Sequence, residues 1–316
     1  MKLGLPHLLD SRSAAMAEET RAFHEQRGMR RGPADWNELR SLRERTQAPV
    51  PANPPATVEQ ARHGDRTVPV RIHLPASTSP SGVLMDIHGG GFYLGSAAAS
   101  DVGNRALAEK LGVAVVSVDY RLAPENPWPA APDDCETAAL WLAEHAAERF
   151  GTRRLAITGA SAGATLAMTT LVRLRDRGAA ETFEAAALQF GTYDISGKTP
   201  SGRLIAEEYF IEAYAGAAPD RTHPDISPIY ADLTGLPPTL MIVGEDDVLL
   251  GDNFAMAARL SSSGVDVDLR VYPASPHGFT HHPTPVAEAA LDDLNAWLGS
   301  RLTWTAPIHR GQGAAG

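Results

Sequence analysis

Between residues 66 and 301 the chain alternates between short apolar runs and longer helix-forming stretches, and few folds accept that order. The runs "GVLMDIHGG" (82–90), "VAVVSVDY" (113–120), "RLAITGA" (154–160), "EAAALQFG" (184–191), "PTLMIVGE" (238–245) and "VDLRVYP" (267–273) are rich in aliphatic and β-branched residues. Near-continuous apolar strands of this kind suit a parallel sheet covered on both faces, because no side of the strand is left for water. "RTVPVRIHLP" (66–75) instead alternates with period two, as a half-exposed strand does. Helical stretches near 99–111, 133–149, 162–177, 252–263 and 284–301 separate the runs. The order predicts an α/β domain built on a mainly parallel sheet. Residues 192–235 break the rhythm with Gly, Pro and aromatics and read as an insertion.

Two flanks lie outside this pattern. Leu8, Met16 and Phe23, then Trp36, Leu39 and Leu42, recur at near-helical spacing, so residues 1–50 form a helical arm. "APVPANPPATV" (48–58) forbids helix and links the arm to a body spanning 51–303. The tail 304–316, ending "GQGAAG", reads as flexible.

Charge and cysteine content narrow the function. With 28 Lys+Arg against 38 Asp+Glu the net charge is -10, which leaves no basic surplus to displace counterions from nucleic acid. The most basic stretch, "RGMRRG" (27–32), reads as a solvated helix end. The single cysteine, Cys135, permits no internal disulfide and fits a reducing compartment; it lacks a His–Asn context and reads as structural. Asp10 and Arg12 interrupt any signal-like apolar region, and no run of about eighteen apolar residues occurs. The expectation is a cytoplasmic protein with no membrane span.

In a parallel sheet the reacting groups gather at the carboxyl ends of strands. Four features stand there. Gly159-Ala160-Ser161-Ala162-Gly163 joins a strand to a helix, a turn that exposes the serine oxygen beside a helix N-terminus. On composition alone that pattern arises in about one such chain in seven, so its placement carries the weight. "DIHGGGFYLGS" (86–96) puts three glycines after a strand, leaving N–H groups free to face a developing anion. A phosphate loop would bring GxxxxGK[ST], which is absent. Asp247 in "VGEDDVLLGDN" and His277 in "YPASPHGF" each follow a strand, giving the order Ser, Asp, His. The pattern predicts a serine nucleophile, a histidine base and an acid that orients it.

Taken together, "HGGGF" (88–92), "DYRLAPE" (119–125), "GASAG" (159–163), "SPIYADLTGLPPTLMIVGEDDVLL" (227–250) and "HGF" (277–279) resemble the hormone-sensitive-lipase-like bacterial esterase/lipase family of α/β-hydrolases, over about residues 60–300. The resemblance implies an α/β-hydrolase fold with a mainly parallel eight-stranded sheet, helices on both faces, and a cap built from the arm and the insertion at about 192–235. It implies serine-ester hydrolysis with Ser161 as nucleophile, His277 as base and Asp247 as acid. Gly90, Gly91 and Ala162 would supply the oxyanion N–H groups, and His88 and Arg121 would hold loops. Asp246 is the alternative acid, and His281 or His282 could replace His277 only with a shifted loop. Asp252 reads as a helix cap.

Two departures from the family pattern stand out. Ala160 occupies a place usually filled by Asp or Glu, and Val248 and Gly251 replace parts of the usual Asp-Pro-Leu-x-Asp run. The expected activity is hydrolysis of short- to medium-chain carboxylic esters through an acyl-enzyme, without cofactor or metal. Phe92, Tyr93 and Phe279 are expected to line the pocket, with core packing the competing role for Phe279. Acyl transfer, a lyase-type reaction and simple binding are the alternatives. The expected partner is a small-molecule ester, with homodimerisation through an edge strand or the last helix also expected.

Overall fold

The computed structural model describes residues 2–3, 11–28, 31–76 and 79–302. The tail assigned to 304–316 and much of 1–10, including Leu8, lie outside the described residues. Strands β2 (Thr57–His63), β3 (Arg66–His73), β4 (Val83–Ile87), β5 (Ala114–Val118), β6 (Leu155–Ala160), β7 (Ala185–Gln189), β8 (Thr239–Gly244) and β9 (Val267–Tyr272) make the expected sheet. A two-residue strand, β1 (Lys2–Leu3), adds to its far edge beside β9, so the sheet counts nine strands in the order β1-β9-β8-β7-β6-β4-β5-β3-β2. Neighbours from β1 to β5 run parallel, and β3 and β2 close the other edge antiparallel.

The burial follows the reading of the apolar runs. Every residue of β5, β6 and β8 is buried, because helices cover both faces of the sheet centre. The helices are α1 (Ser11–Arg27), α2 (Trp36–Arg45), α3 (Asp101–Leu111), α4 (Ala130–Phe150), α5 (Ala162–Asp176), α6 (Tyr209–Ala215), α7 (Leu250–Ser262) and α8 (Pro285–Leu302). In α5 twelve of fifteen residues are buried, as expected for a helix wedged between the sheet and other elements.

The arm is two helices rather than one continuous segment. Helix α1 packs on α8. Helix α2 starts at Asp35, whose carboxylate accepts the Glu38 N–H at 2.9 Å, while the Glu38 carboxylate accepts the Ala34 N–H at 3.0 Å. That reciprocal cap fixes where the helix begins. Strand β2 replaces the end of the expected linker. The insertion 192–235 holds only α6 and short 3-10 turns.

The connectivity places the site. From β4 the chain moves outward to β5 and then returns to β6 on the other side of β4. Loops leaving β4 and β6 therefore diverge at a switch point and open a crevice at the carboxyl edge. Those are the loops that carry the glycine triplet and Ser161.

Candidate active site

Ser161 sits on the turn between β6 and α5 with φ 53° and ψ -120°, a conformation a side-chain-bearing residue adopts only under constraint. The constraint comes from both sides. The Ser161 N–H donates to the Gln189 carbonyl of β7 at 2.9 Å. A Cβ on Gly159 would overlap the Gly163 carbonyl, and one on Gly163 would overlap the Ile87 carbonyl at the end of β4. Two glycines two residues either side of the serine are thus a packing requirement of the elbow.

The three chemistry-bearing side chains come together. His277 Nε2 lies 2.9 Å from Ser161 Oγ, and His277 Nδ1 lies 3.0 Å and 3.1 Å from the two Asp247 carboxylate oxygens. The contact assigns the ring roles: Nδ1–H donates to Asp247, leaving Nε2 to accept the serine O–H. Asp247 is buried and its Oδ1 also accepts the Leu249 N–H at 2.8 Å, so the carboxylate is fixed from a second direction. Asp246 points elsewhere: it is exposed, and its N–H donates to the Ser275 carbonyl at 3.1 Å. The edge of the Phe190 ring supports the imidazole, with centroids 5.2 Å apart.

Opposite the elbow, the Gly90 carbonyl accepts the N–H groups of Leu94 (2.8 Å) and Tyr93 (3.2 Å), which folds the glycine loop back on itself. Gly90 has φ 116° and a Cβ there would collide with the Leu94 carbonyl, so the turn admits only glycine. Among the described residues the N–H groups of Gly90, Gly91 and Ala162 have no hydrogen-bond partner. His88 lies behind the loop, stacked on Tyr120 at 4.2 Å and bonded through Nδ1 to the Gly89 carbonyl. Arg121 grips the buried Asp134 through Nε and Nη2 at 2.9 Å. Both hold loops. Among the described residues no group of three or more His, Cys, Asp or Glu could hold a metal ion.

Residues 84–281 match the family described as alpha/beta hydrolase fold. The chain belongs to that family. An ethyl acetate hydrolase of Pseudomonas putida is 34% identical to this α/β-hydrolase over 241 residues, covering 71% of this chain and 74% of the relative. An arylesterase of Saccharolobus solfataricus is 32% identical over 211 residues, 64% and 69% of the two chains. Among solved structures, a bacterial heroin esterase superposes with a TM-score of 0.74 at 32% identity, over 79% of this chain and 84% of that one. A hormone-sensitive lipase from a metagenome library gives 0.71 at 27% identity, over 92% and 98%. The α/β-hydrolase thus sits in the hormone-sensitive-lipase-like esterase branch.

The aromatic residues expected to line the pocket fare differently. Phe279 has no exposed surface and packs against Phe190 and Tyr272 (centroids 6.0 and 5.6 Å), so in this hydrolase it belongs to the core behind the His277 loop. Phe92 is 1% exposed and stacked on Tyr214 of α6 at 3.9 Å. Tyr93 is buried beside Tyr209 and Phe210, and its hydroxyl pKa is pushed up to about 12 by that burial and by the nearby Glu208 carboxylate. The half-buried Phe210, in α6 of the insertion, lies directly over Gly91: a Cβ on that glycine would be 3.3 Å from Phe210 Cβ.

Asp252 is not a helix cap. It lies in the first turn of α7, fully buried, and accepts the Tyr193 and Asp194 N–H groups, bracing the start of the insertion. Gly251 has its own reason: a Cβ there would meet the Ser201 hydroxyl of the insertion. Gln189 is a further residue the sequence did not single out. Beside its carbonyl bond to Ser161, its side-chain Oε1 accepts the Thr280 hydroxyl at 3.0 Å, tying β7 to the His277 loop. Its only sequence signal is a polar residue ending an apolar run.

Proposed function

We propose that the protein is a serine carboxylic-ester hydrolase working through an acyl-enzyme. Ser161 Oγ attacks the ester carbonyl carbon as His277 Nε2 takes its proton. Asp247 holds the ring and stabilises the imidazolium that forms. The negative charge on the carbonyl oxygen is received by the N–H groups of Gly90, Gly91 and Ala162, the last at the N-terminus of α5 where the helix dipole adds to it. Collapse of the tetrahedral species breaks the C–O bond, and His277 returns the proton to the leaving alcohol. Water, deprotonated by the same imidazole, then releases the acid and restores Ser161.

The reading rests on one observation above all: a serine hydroxyl, held at a positive φ, in hydrogen-bond contact with an imidazole whose other nitrogen is held by a buried carboxylate. In this reading the arm 1–50 and the insertion 192–235 cap the body 51–303, with Phe210 walling the space above Gly91. We assign the protein short- to medium-chain esters, and the name ethyl acetate hydrolase carried by one relative favours small esters. The substrate is a small-molecule ester. No helix among the described residues is long and apolar enough to cross a membrane. We place the enzyme in the cytoplasm, where its one buried thiol, Cys135, stays reduced. A homodimer through the β2 edge or α8 is the expected assembly, read by light scattering after size exclusion.

Hydrolysis of p-nitrophenyl acetate and butyrate by the wild type and Ser161→Ala tests the activity. The variant should lose at least about 10³-fold in kcat, the scale on which losing a nucleophile acts. A fluorophosphonate should label only the wild type. Equal rates for the two proteins would refute the assignment.

A further inference from the structure

Helix α2 buries Leu39 in the core and also reaches the catalytic body through a cation. Arg43, in the last turn of α2, is 24% exposed at its side chain. Its Nε and Nη2 donate to the Tyr93 carbonyl at 3.0 and 2.6 Å, and Nη2 also donates to the Ala123 carbonyl at 2.7 Å. Nη1 reaches the Glu125 carboxylate at 2.6 Å, and the Trp36 ring lies 5.6 Å from the guanidinium.

The two carbonyls belong to the two segments that enclose the glycine loop. Tyr93 directly follows Gly90, Gly91 and Phe92, which carry three successive positive φ values of 116°, 59° and 62°. The Ala123 N–H in turn donates to the Phe92 carbonyl at 3.0 Å. A run of left-handed backbone that includes a phenylalanine persists only where surrounding contacts over-determine it. On the inner side Gly90 closes its own turn. On the outer side the planar guanidinium sets the spacing of both carbonyls at once, which a single ammonium cannot do.

We propose that Arg43 is a positioning residue for the oxyanion loop, so that the N-terminal arm fixes where the Gly90 and Gly91 N–H groups point. The proposal rests on the ester-hydrolase reading. Groups that bind charge appearing in the transition state affect turnover more than ground-state binding, and losing one such donor outright costs about 10²–10³-fold. Displacing a loop without deleting its donors should cost less.

The test compares full-length wild type, Arg43→Met, Arg43→Lys and Glu125→Gln on p-nitrophenyl butyrate, with thermal unfolding and a kcat/KM pH profile for each. Arg43→Met should lose roughly 10–100-fold in kcat, with KM within about twofold and the midpoint of the acidic limb unmoved, since His277 and Asp247 are untouched. Arg43→Lys should fall between, and Glu125→Gln should keep the wild-type kcat within about twofold. Wild-type kcat in both arginine variants, or a loss confined to KM, would overturn the proposal. Should Arg43→Met not fold, Arg43→Lys decides alone: lowered kcat at unchanged KM supports positioning, and wild-type kcat refutes it. A wild-type protein with no Ser161-dependent turnover would instead sink the hydrolase reading and this proposal with it.

Discussion

Asp252 offers a stability prediction that isolates one buried charge. Its side chain is 1% exposed, and one oxygen accepts the Tyr193 and Asp194 N–H groups while the other, buried, has no hydrogen-bond partner among the described residues. Burial raises its pKa to about 6 from the ordinary 3.8, outweighing the two N–H donors that favour the carboxylate; the Asp194 charge adds to the rise. Because the folded pKa is the higher one, folding is favoured by protonation. The contribution is complete below about pH 3.8 and is lost as the pH climbs through about 6.

At about 1.36 kcal/mol per unit the loss is about 3 kcal/mol, of which about 2 falls between pH 4.5 and 7.5. An Asp252→Asn side chain keeps an oxygen for the two N–H groups but does not ionise. The difference in stability, variant minus wild type, should therefore rise by about 2 kcal/mol between pH 4.5 and 7.5. With an unfolding entropy of about 2.1 cal/mol/K per residue, that is about 3 °C in relative Tm for a chain of this length. Calorimetric scans of both proteins across that pH range measure it. The slope with pH carries the effect of the charge, because any fixed offset from the amide drops out. Parallel Tm curves would show that Asp252 titrates alike in the folded and unfolded chain, and the burial argument would fail.

Two further outcomes follow from the site. Asp247→Asn should reduce kcat by about 10³–10⁴-fold, because the amide cannot hold the imidazole in the tautomer that accepts the serine proton, whereas Asp246→Asn should stay within about twofold. The reverse pattern in steady-state assays, with the large loss in Asp246→Asn, would move the acid to Asp246. Gln189→Leu and Thr280→Val should each lower kcat by about threefold to tenfold, and the double variant should be no worse than either alone, since the two changes delete one bond. Additive losses in that cycle would mean that the Gln189–Thr280 contact does not hold the His277 loop.

What could be read from the chain was whatever backbone geometry forces into sequence. Buried parallel strands must be apolar throughout, so β4 to β8 announced themselves; β2 did not, because only Ala61 of its seven residues is buried. The elbow was legible for a similar reason, since Gly159 and Gly163 stand where any Cβ would strike a carbonyl. Phe279 misled because an aromatic residue beside a catalytic histidine looks the same whether its ring faces a pocket or the core. Asp252 misled because a polar residue near a helix start resembles a cap, and only the fold brings the Tyr193 and Asp194 N–H groups to it. The side chains of Arg43 and Gln189 hydrogen-bond to partners 50 to 91 residues away in the chain, and no local pattern marks such pairs.

Ala160 shows how these limits combine. Its methyl side chain stands where the family usually carries an acid, so it offers no polar contact of its own beside the nucleophile. In the sheet, Ala160 is paired in register with Gln189 of β7. That neighbour bonds the Ser161 N–H through its carbonyl and the Thr280 hydroxyl through its side chain. One residue on the adjacent strand therefore links the nucleophile turn to the histidine loop. The polar link thus sits one strand over from Ala160, where it braces both triad-bearing loops.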